Sequence, residues 1–327
     1  IGQVGSEYDG APSEKTVSGL GNIRGLSPDA PTKEGGYYSA AVSRFAFEND
    51  LRTDLTGTQN LNTVAVALAS PLPKIELPVA GTTVTLVPFA KSVDGDSIDG
   101  ARGNFQPTNT IVDFFVDTFA NTDPAGSDAD PSINEGRPFV RFRINFEDVE
   151  QGADHDMDAI IVYEVRANAD DTLTVSLLSE YAAGSIEHHL GYVISGTTAD
   201  GVYLEVRDED TSESSDIDYF LDTPADLAPG ACELGGPDAC DDALPLTATR
   251  NFTPSGVVTG ATVLNSPLWY AAKYGTANAD DLDEGETSSN YFLVTNATNL
   301  ETQLDNYFYE ILALVSSALA AATNSTL

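Results

Sequence analysis

The chain has 327 residues, room for two or three domains, and 41% hydrophobic residues with 13 Tyr and 14 Phe exclude a disordered chain. The 51 Asp and Glu residues against 15 Lys and Arg give a formal net charge of -36. Such a field opposes nucleic acid and anionic membrane surfaces and favours divalent cations or salty surroundings.

Residues 1–34 are rich in Gly, Ser, Pro and Asp. Val17, Leu20, Ile23 and Leu26 fall at helix-like spacing, which predicts an extended arm with one short helical turn. In 35–73, YYSAAVSRFAFENDLRTDL places Ala41, Phe45 and Leu51 near one face of a helix. LNTVAVALA (61–69), Val-rich and bounded by Asn and Pro, reads as a buried strand. A helix followed by a buried strand is half of an α/β unit.

The segment 74–255 reads as a β-sandwich. KIELPVAGTTVTLVPFAKSV is a hairpin around Ala80-Gly81, and NTIVDFFVDTFA (109–120) alternates, although a helix fits it too. RPFVRFRINFEDV (137–149) alternates strictly, with Phe139, Arg141, Arg143 and Asn145 on one face and Val140, Phe142, Ile144 and Phe146 on the other. AIIVYEVRA, TLTVSLLSEY, EHHLGYVISG and GVYLEVRDE follow at short intervals, and LTATRNFTP (246–254) closes the set. Strands this close, with no helices between them, argue antiparallel sheets. The fold class is mainly β with α+β flanks.

The acidic, Pro- and Gly-rich stretch 208–245 reads as a surface loop. Within it Cys232 and Cys240 enclose Gly-Gly-Pro, a spacing that suits a small disulfide clip in an oxidising, exported setting, the alternative being two free thiols. In 256–327, SPLWYAAKYG forms a short helix, with Trp269, Tyr270 and Tyr274 as core. An acidic loop and YFLVTN follow. Then Leu304, Tyr307, Phe308, Ile311, Leu312, Val315 and Leu319 share one helical face. That helix shows no Gly or Pro stop and the chain begins without Met, so the expectation is an exported piece of something longer. No run of 18 apolar residues predicts a membrane span.

Two acidic clusters are candidates for calcium, which takes six to eight oxygen ligands from flexible loops. One lies in FEDVEQGADHDMDA, with Asp154, Asp156 and Asp158 beside Glu147, Asp148, Glu150 and His155. The other holds Asp280, Asp281 and Asp283 with Glu284 and Glu286, and its spacing does not follow an EF-hand. The alternative readings are a polar hairpin tip for the first and a solvated acidic loop for the second. His188 and His189 are adjacent in a strand and face opposite ways, so they are no chelating pair. No GxSxG, HExxH, CxxC, P-loop or GxGxxG stands in supporting context.

The order SPLWYAAKYG, Asp-rich loop, YFLVTN, helix, ATNSTL resembles the PilC/PilY family of type IV pilus-tip adhesins and assembly factors. The stretches 50–93 and 137–165 resemble the same family, so the likeness covers most of the chain. It implies a segment lying just before a C-terminal β-propeller, with 35–73 as the last helix and strand of a von Willebrand A-like unit. It implies no catalytic activity. The expected function is extracellular adhesion or assembly through protein contacts, with pilins or minor pilins as partners or copies of itself in a filament. Two other classes stay open. A calcium-dependent carbohydrate-binding module rests on fold analogy, and a carboxylate-pair hydrolase would need two acids facing each other in a cleft.

Overall fold

A computed structural model describes residues 2–4, 23–25, 38–68, 73–95, 98, 108–148, 156–184, 186–209, 219–232, 236–256, 265–276, 290–294 and the positions 301, 302, 304, 305, 308, 309 and 312. The chain divides into two compact units, one of residues 1–38 with 71–266, the other of residues 39–70 with 267–327. In sequence, therefore, the first unit's strands interrupt the second.

The first unit is an antiparallel β-sandwich. One sheet has the order β11 (Gly201–Arg207), β10 (Ile186–Ser195), β5 (Thr82–Gly95), β4 (Ile75–Val79). The other runs β12 (Thr247–Phe252), β9 (Leu173–Ala182), β8 (Ala159–Ala167), β7 (Phe139–Glu147), β6 (Thr110–Ala120). The predicted hairpin turns at Ala80 and Gly81 with φ 51° and 76°, the two left-handed positions of a type I′ turn. On β7 the alternation holds from Phe139 to Phe146, with Val140, Phe142, Ile144 and Phe146 each fully buried. On its outer face Arg143 pairs with Glu180 at 2.6 Å, and Arg141 with Asp117 and Glu164 at 3.3 and 3.4 Å. The ambiguous segment 109–120 is a strand. It carries two bulges and leaves Phe115 and Phe119 exposed.

The main core fills the space between the sheets, from Leu77, Leu86 and Leu190 on one side to Phe142, Tyr163 and Val175 on the other. Gly191 is obligatory here, because an added Cβ would lie 1.6 Å from the Tyr203 carbonyl oxygen. Its own carbonyl accepts the Tyr163 hydroxyl at 2.6 Å.

Two expectations about this unit need correction. Ile23, placed on a helical face by spacing, lies in a strand, Ile23–Gly25 (β2), that pairs antiparallel with Gly2–Val4 (β1), because extended main chain there satisfies its N–H and C=O groups across a ladder. The stretch 208–245 is more than a surface loop. Tyr219, Phe220 and Leu221 are buried against Val87, Phe89, Val93, Val193, Val202 and Leu204, forming a second core on the outer face of the four-stranded sheet. Odd-numbered apolar residues of β5 and β10 point outward and need a cover, which this segment supplies. Cys232 and Cys240 form the expected disulfide behind it, S–S 2.02 Å.

In the second unit, β3 (Ala65–Leu68) and β13 (Tyr291–Val294) pair in parallel, although the whole sandwich separates them in sequence. The segments 35–73 and 256–327, read as a remnant and a linker, therefore share one α/β unit. Its helix α2 (Pro267–Tyr274) buries Trp269 and Tyr270. At its end an added Gly275 Cβ would lie 2.5 Å from Thr63 Cβ, so only glycine allows the Thr63 N–H to donate to Gly275 O at 2.9 Å. Asn290 Nδ2 donates to Asn62 Oδ1 and Thr63 O, fixing the entry to β13. Helix α1 (Tyr38–Glu48) forms as expected but buries Ala40 and Ser43 rather than Ala41 and Phe45, and Leu51 is exposed too. The small face wins because the helix comes close enough for Ser39 Oγ to donate to Pro267 O at 3.2 Å. The described positions of 301–312 are helical, with Phe308 and Leu312 exposed. Among the described residues no helix is long and apolar enough to cross a membrane.

Candidate functional site

Antiparallel pairing brings the ends of β5, β7 and β11 to the same end of the sandwich as the starts of β6, β8 and β10. Polar residues collect there. Asn109 N–H donates to Ala90 O and Thr108 bridges Lys91, which ties the two sheets together. Ser92, Asn109 and His188 are fully buried. Ser92 Oγ donates to Asn109 Oδ1 at 3.3 Å, and Asn109 Nδ2 lies 2.7 Å from His188 Nδ1. With the amide oxygen engaged, the amide N–H donates to Nδ1, and the imidazole proton resides on Nε2. Nε2 is buried and has no hydrogen-bond partner among the described residues. Burial, helped by neighbouring His189, pushes the His188 pKa down to about 3, so the ring is neutral at any ordinary pH. Its main chain is held by Asp208, whose Oδ2 accepts the His188 N–H at 3.0 Å.

Beside this group lies the β7–β8 connection. Glu147, Asp148 and Asp158 are buried and Asp156 is exposed. Asp158 Oδ2 accepts the Asp148 N–H at 2.7 Å. Burial first, then the charges of Asp156, Asp148 and Glu147, push the Asp158 pKa up to about 6, against the opposing Asp148 N–H. Of the predicted calcium ligands, Asp156 and Asp158 thus share one turn, while Asp154, Asp280, Asp281 and Asp283 lie outside the described residues. Among the described residues no group of three or more His, Cys, Asp or Glu is placed to hold a metal ion. Elsewhere acids cap turns. Asp123 and Asp130 are held below the usual carboxylate range chiefly by the hydroxyls of Ser127 and Ser132, and Asp128 by the Thr122 N–H.

On the outer face of the four-stranded sheet, His189 Nδ1 lies 2.6 Å from Asp222 Oδ1, and Asp222 Oδ2 accepts the Tyr219 N–H at 2.9 Å. At the open flank, Arg250 on β12 reaches in to Glu205 on β11 through Nε. Its Nη1 donates to Leu227 O at 2.9 Å and its Nη2 to Thr223 O and Pro224 O at 3.1 Å. Tyr192 O–H donates to the second Glu205 oxygen at 2.8 Å, and the guanidinium stacks 4.8 Å over the Tyr203 ring. One arginine therefore joins both sheets and the covering segment.

These groups hold strands and cover together. Both histidine rings are fully buried, so neither meets a solute from solvent. Sequence reading missed the Ser92–Asn109–His188 group and the Arg250–Glu205 clamp. Its available signals were small: the apolar run Tyr219-Phe-Leu inside an acidic stretch, and a lone Arg on the inward positions of 247–252.

The β-sandwich model of PilY1 homologues matches residues 77–245, just over half of the 327-residue chain, and a model described as the second domain of PilY1 homologues matches residues 1–46. The chain is similar, at 48% identity over 97% of its length, to a protein of Xylella fastidiosa (strain Temecula1 / ATCC 700964) named type IV pilus biogenesis factor PilY1 homolog. The chain spans 22% of that relative's length. No solved structure matches it. The sandwich seen here coincides with the one the family model describes, and the likeness runs through both units: the chain belongs to the PilY1-homologue family.

Proposed function

We propose that this chain serves type IV pilus biogenesis at the cell surface by non-catalytic protein contacts, with pilins or minor pilins as its partners. The observation that carries the reading is the 48% identity, sustained over 97% of the chain, to a relative named for that process. The buried histidines and the Arg250 clamp support it, because they spend the polar chemistry of the sandwich on rigidity rather than on a reactive centre. Rigid sandwiches with loops at their ends are well suited to presenting binding surfaces.

The test is an in-frame replacement of residues 71–266 by a short Gly/Ser linker in the host gene, with secretion of the remainder verified by blotting. Loss of surface pili and of twitching, restored by the intact gene, is the expected outcome. Normal piliation and motility would refute the reading. Purified chain should also retain minor pilins from solution, whereas their passage unretained counts against the contact mechanism.

A further inference from the structure

We propose that the α/β unit acts as a mechanical tie that keeps tension along the polypeptide off the β-sandwich. Chain order carries the first part. Helix α1 and β3 precede residues 71–266, α2 and β13 follow them, and these four elements belong to one unit. The sandwich is thus an insertion whose incoming and outgoing chain are bonded to each other. Load that enters before α1 and leaves after β13 meets those bonds before it reaches the insert.

The bonds are specific. Thr63 N–H donates to Gly275 O and Ala65 N–H to Asn290 O, each at 2.9 Å. Asn290 Nδ2 donates back to Asn62 Oδ1 and Thr63 O at 2.9 and 3.0 Å. On α1, the Ser39 hydroxyl donates to the carbonyl of Pro267, the first residue of α2. The strand register then runs from Ala65 with Tyr291 to Leu68 with Val294.

The direction of this pair decides how it bears load. Tension pulls β3 from its N-terminal end and β13 from its C-terminal end. In a parallel pair these lie at opposite ends of the ladder, so the strands are drawn past each other lengthwise. The evenly spaced bonds of a parallel ladder then share the load instead of opening one at a time. The insert lacks such an arrangement at its own ends. Its first and last described strands, β4 and β12, are each the terminal strand of a sheet, with one neighbour among the described residues. Direct load would strip these edges, and stripping β12 would draw Arg250 away from Glu205.

Optical-tweezers pulling on the full-length protein tests the tie. One form carries handles at Gly36 and Ala297, outside the bonded segments, and the other at Pro71 and Ser266, at the ends of the insert. Unfolding of 71–266 is recognised by a length gain of about 65 nm, given ~3.3 Å per extended residue. With the outer handles this step is expected at roughly twofold higher force than with the inner ones, because forced unfolding follows the barrier that is loaded. Gly275→Val wedges a side chain against Thr63. It should bring the outer-handle force down to the inner-handle value and leave the latter unchanged. Equal or lower force with the outer handles on the parent protein overturns the proposal, as does a folded variant that keeps the parent's outer-handle force. The handle comparison needs no variant, so it decides even where Gly275→Val fails to fold. A chain loaded through a pilus would gain most from the tie, yet the force measurement is independent of that role, so piliation and shielding can fail separately.

Discussion

Arg250→Met tests whether the sandwich depends on its buried clamp. The substitution keeps the aliphatic reach of the side chain but removes the ion pair to Glu205 and the donors to the carbonyls of Thr223, Pro224 and Leu227. Glu205 keeps the Tyr192 hydroxyl, but its side chain is 4% exposed and its charge loses its counter-ion. Breaking a buried pair from one side costs about 3–5 kcal/mol, which in a domain of this size lowers Tm by roughly 6 to 20 °C. The pH dependence carries a sign. Burial already raises the Glu205 pKa, with Arg250 opposing it, so removing Arg250 drives it higher still. A raised carboxyl pKa stabilises below the unfolded value and loses that contribution as pH rises through the folded value. The variant's deficit should therefore be smaller at pH 5 than at pH 8. Scanning calorimetry at both pH values measures it, alongside Arg250→Met/Glu205→Leu, which removes the stranded charge and should recover at least half of the loss. A single variant melting within about 2 °C of the parent, or a double variant no better than the single, would refute the argument.

Four further outcomes are expected. Asp158→Asn keeps an acceptor for the Asp148 N–H and removes a carboxylate titrating at about 6, so it should add up to about 2 kcal/mol of stability at pH 8 and almost nothing at pH 4. Destabilisation seen only with calcium present would instead reveal a cation there. His188 must stay neutral to remain buried, so its contribution is present above about pH 6.5 and is lost on acidification toward its folded value of about 3. Between about pH 4 and 6 that loss opposes the gain from Asp158, and Asp158→Asn should expose a steeper acid slope in urea titrations. Cys232→Ser/Cys240→Ser opens a short loop closed over 8 positions and should cost about 2–3 kcal/mol, with faster proteolysis of the 219–232 segment. Gly191→Ala puts a methyl group against the Tyr203 carbonyl and should abolish soluble folded protein; a folded variant with native Tm would contradict the close approach of β10 to β11.

Most strands were legible in the sequence, because the pattern that makes a strand is local. The alternation of 139–146, the Ala80-Gly81 turn and the short spacing of the later strands follow from two-residue periodicity and turn chemistry alone. The sequence also determined the acidic character of the surface, the cysteine pair and the resemblance that led to the family. What it left open was which surfaces meet. Spacing on α1 grouped Ala41 and Phe45 near one face, whereas close packing selected Ala40 and Ser43 for burial. Nothing local in 208–245 says that Tyr219–Leu221 must cover a sheet whose other face is already in the core. Nor does any local pattern join Ala65–Leu68 to Tyr291–Val294 or Arg250 to Glu205. These pairings depend on both partners being brought together by the rest of the chain, so only the tertiary structure decided them.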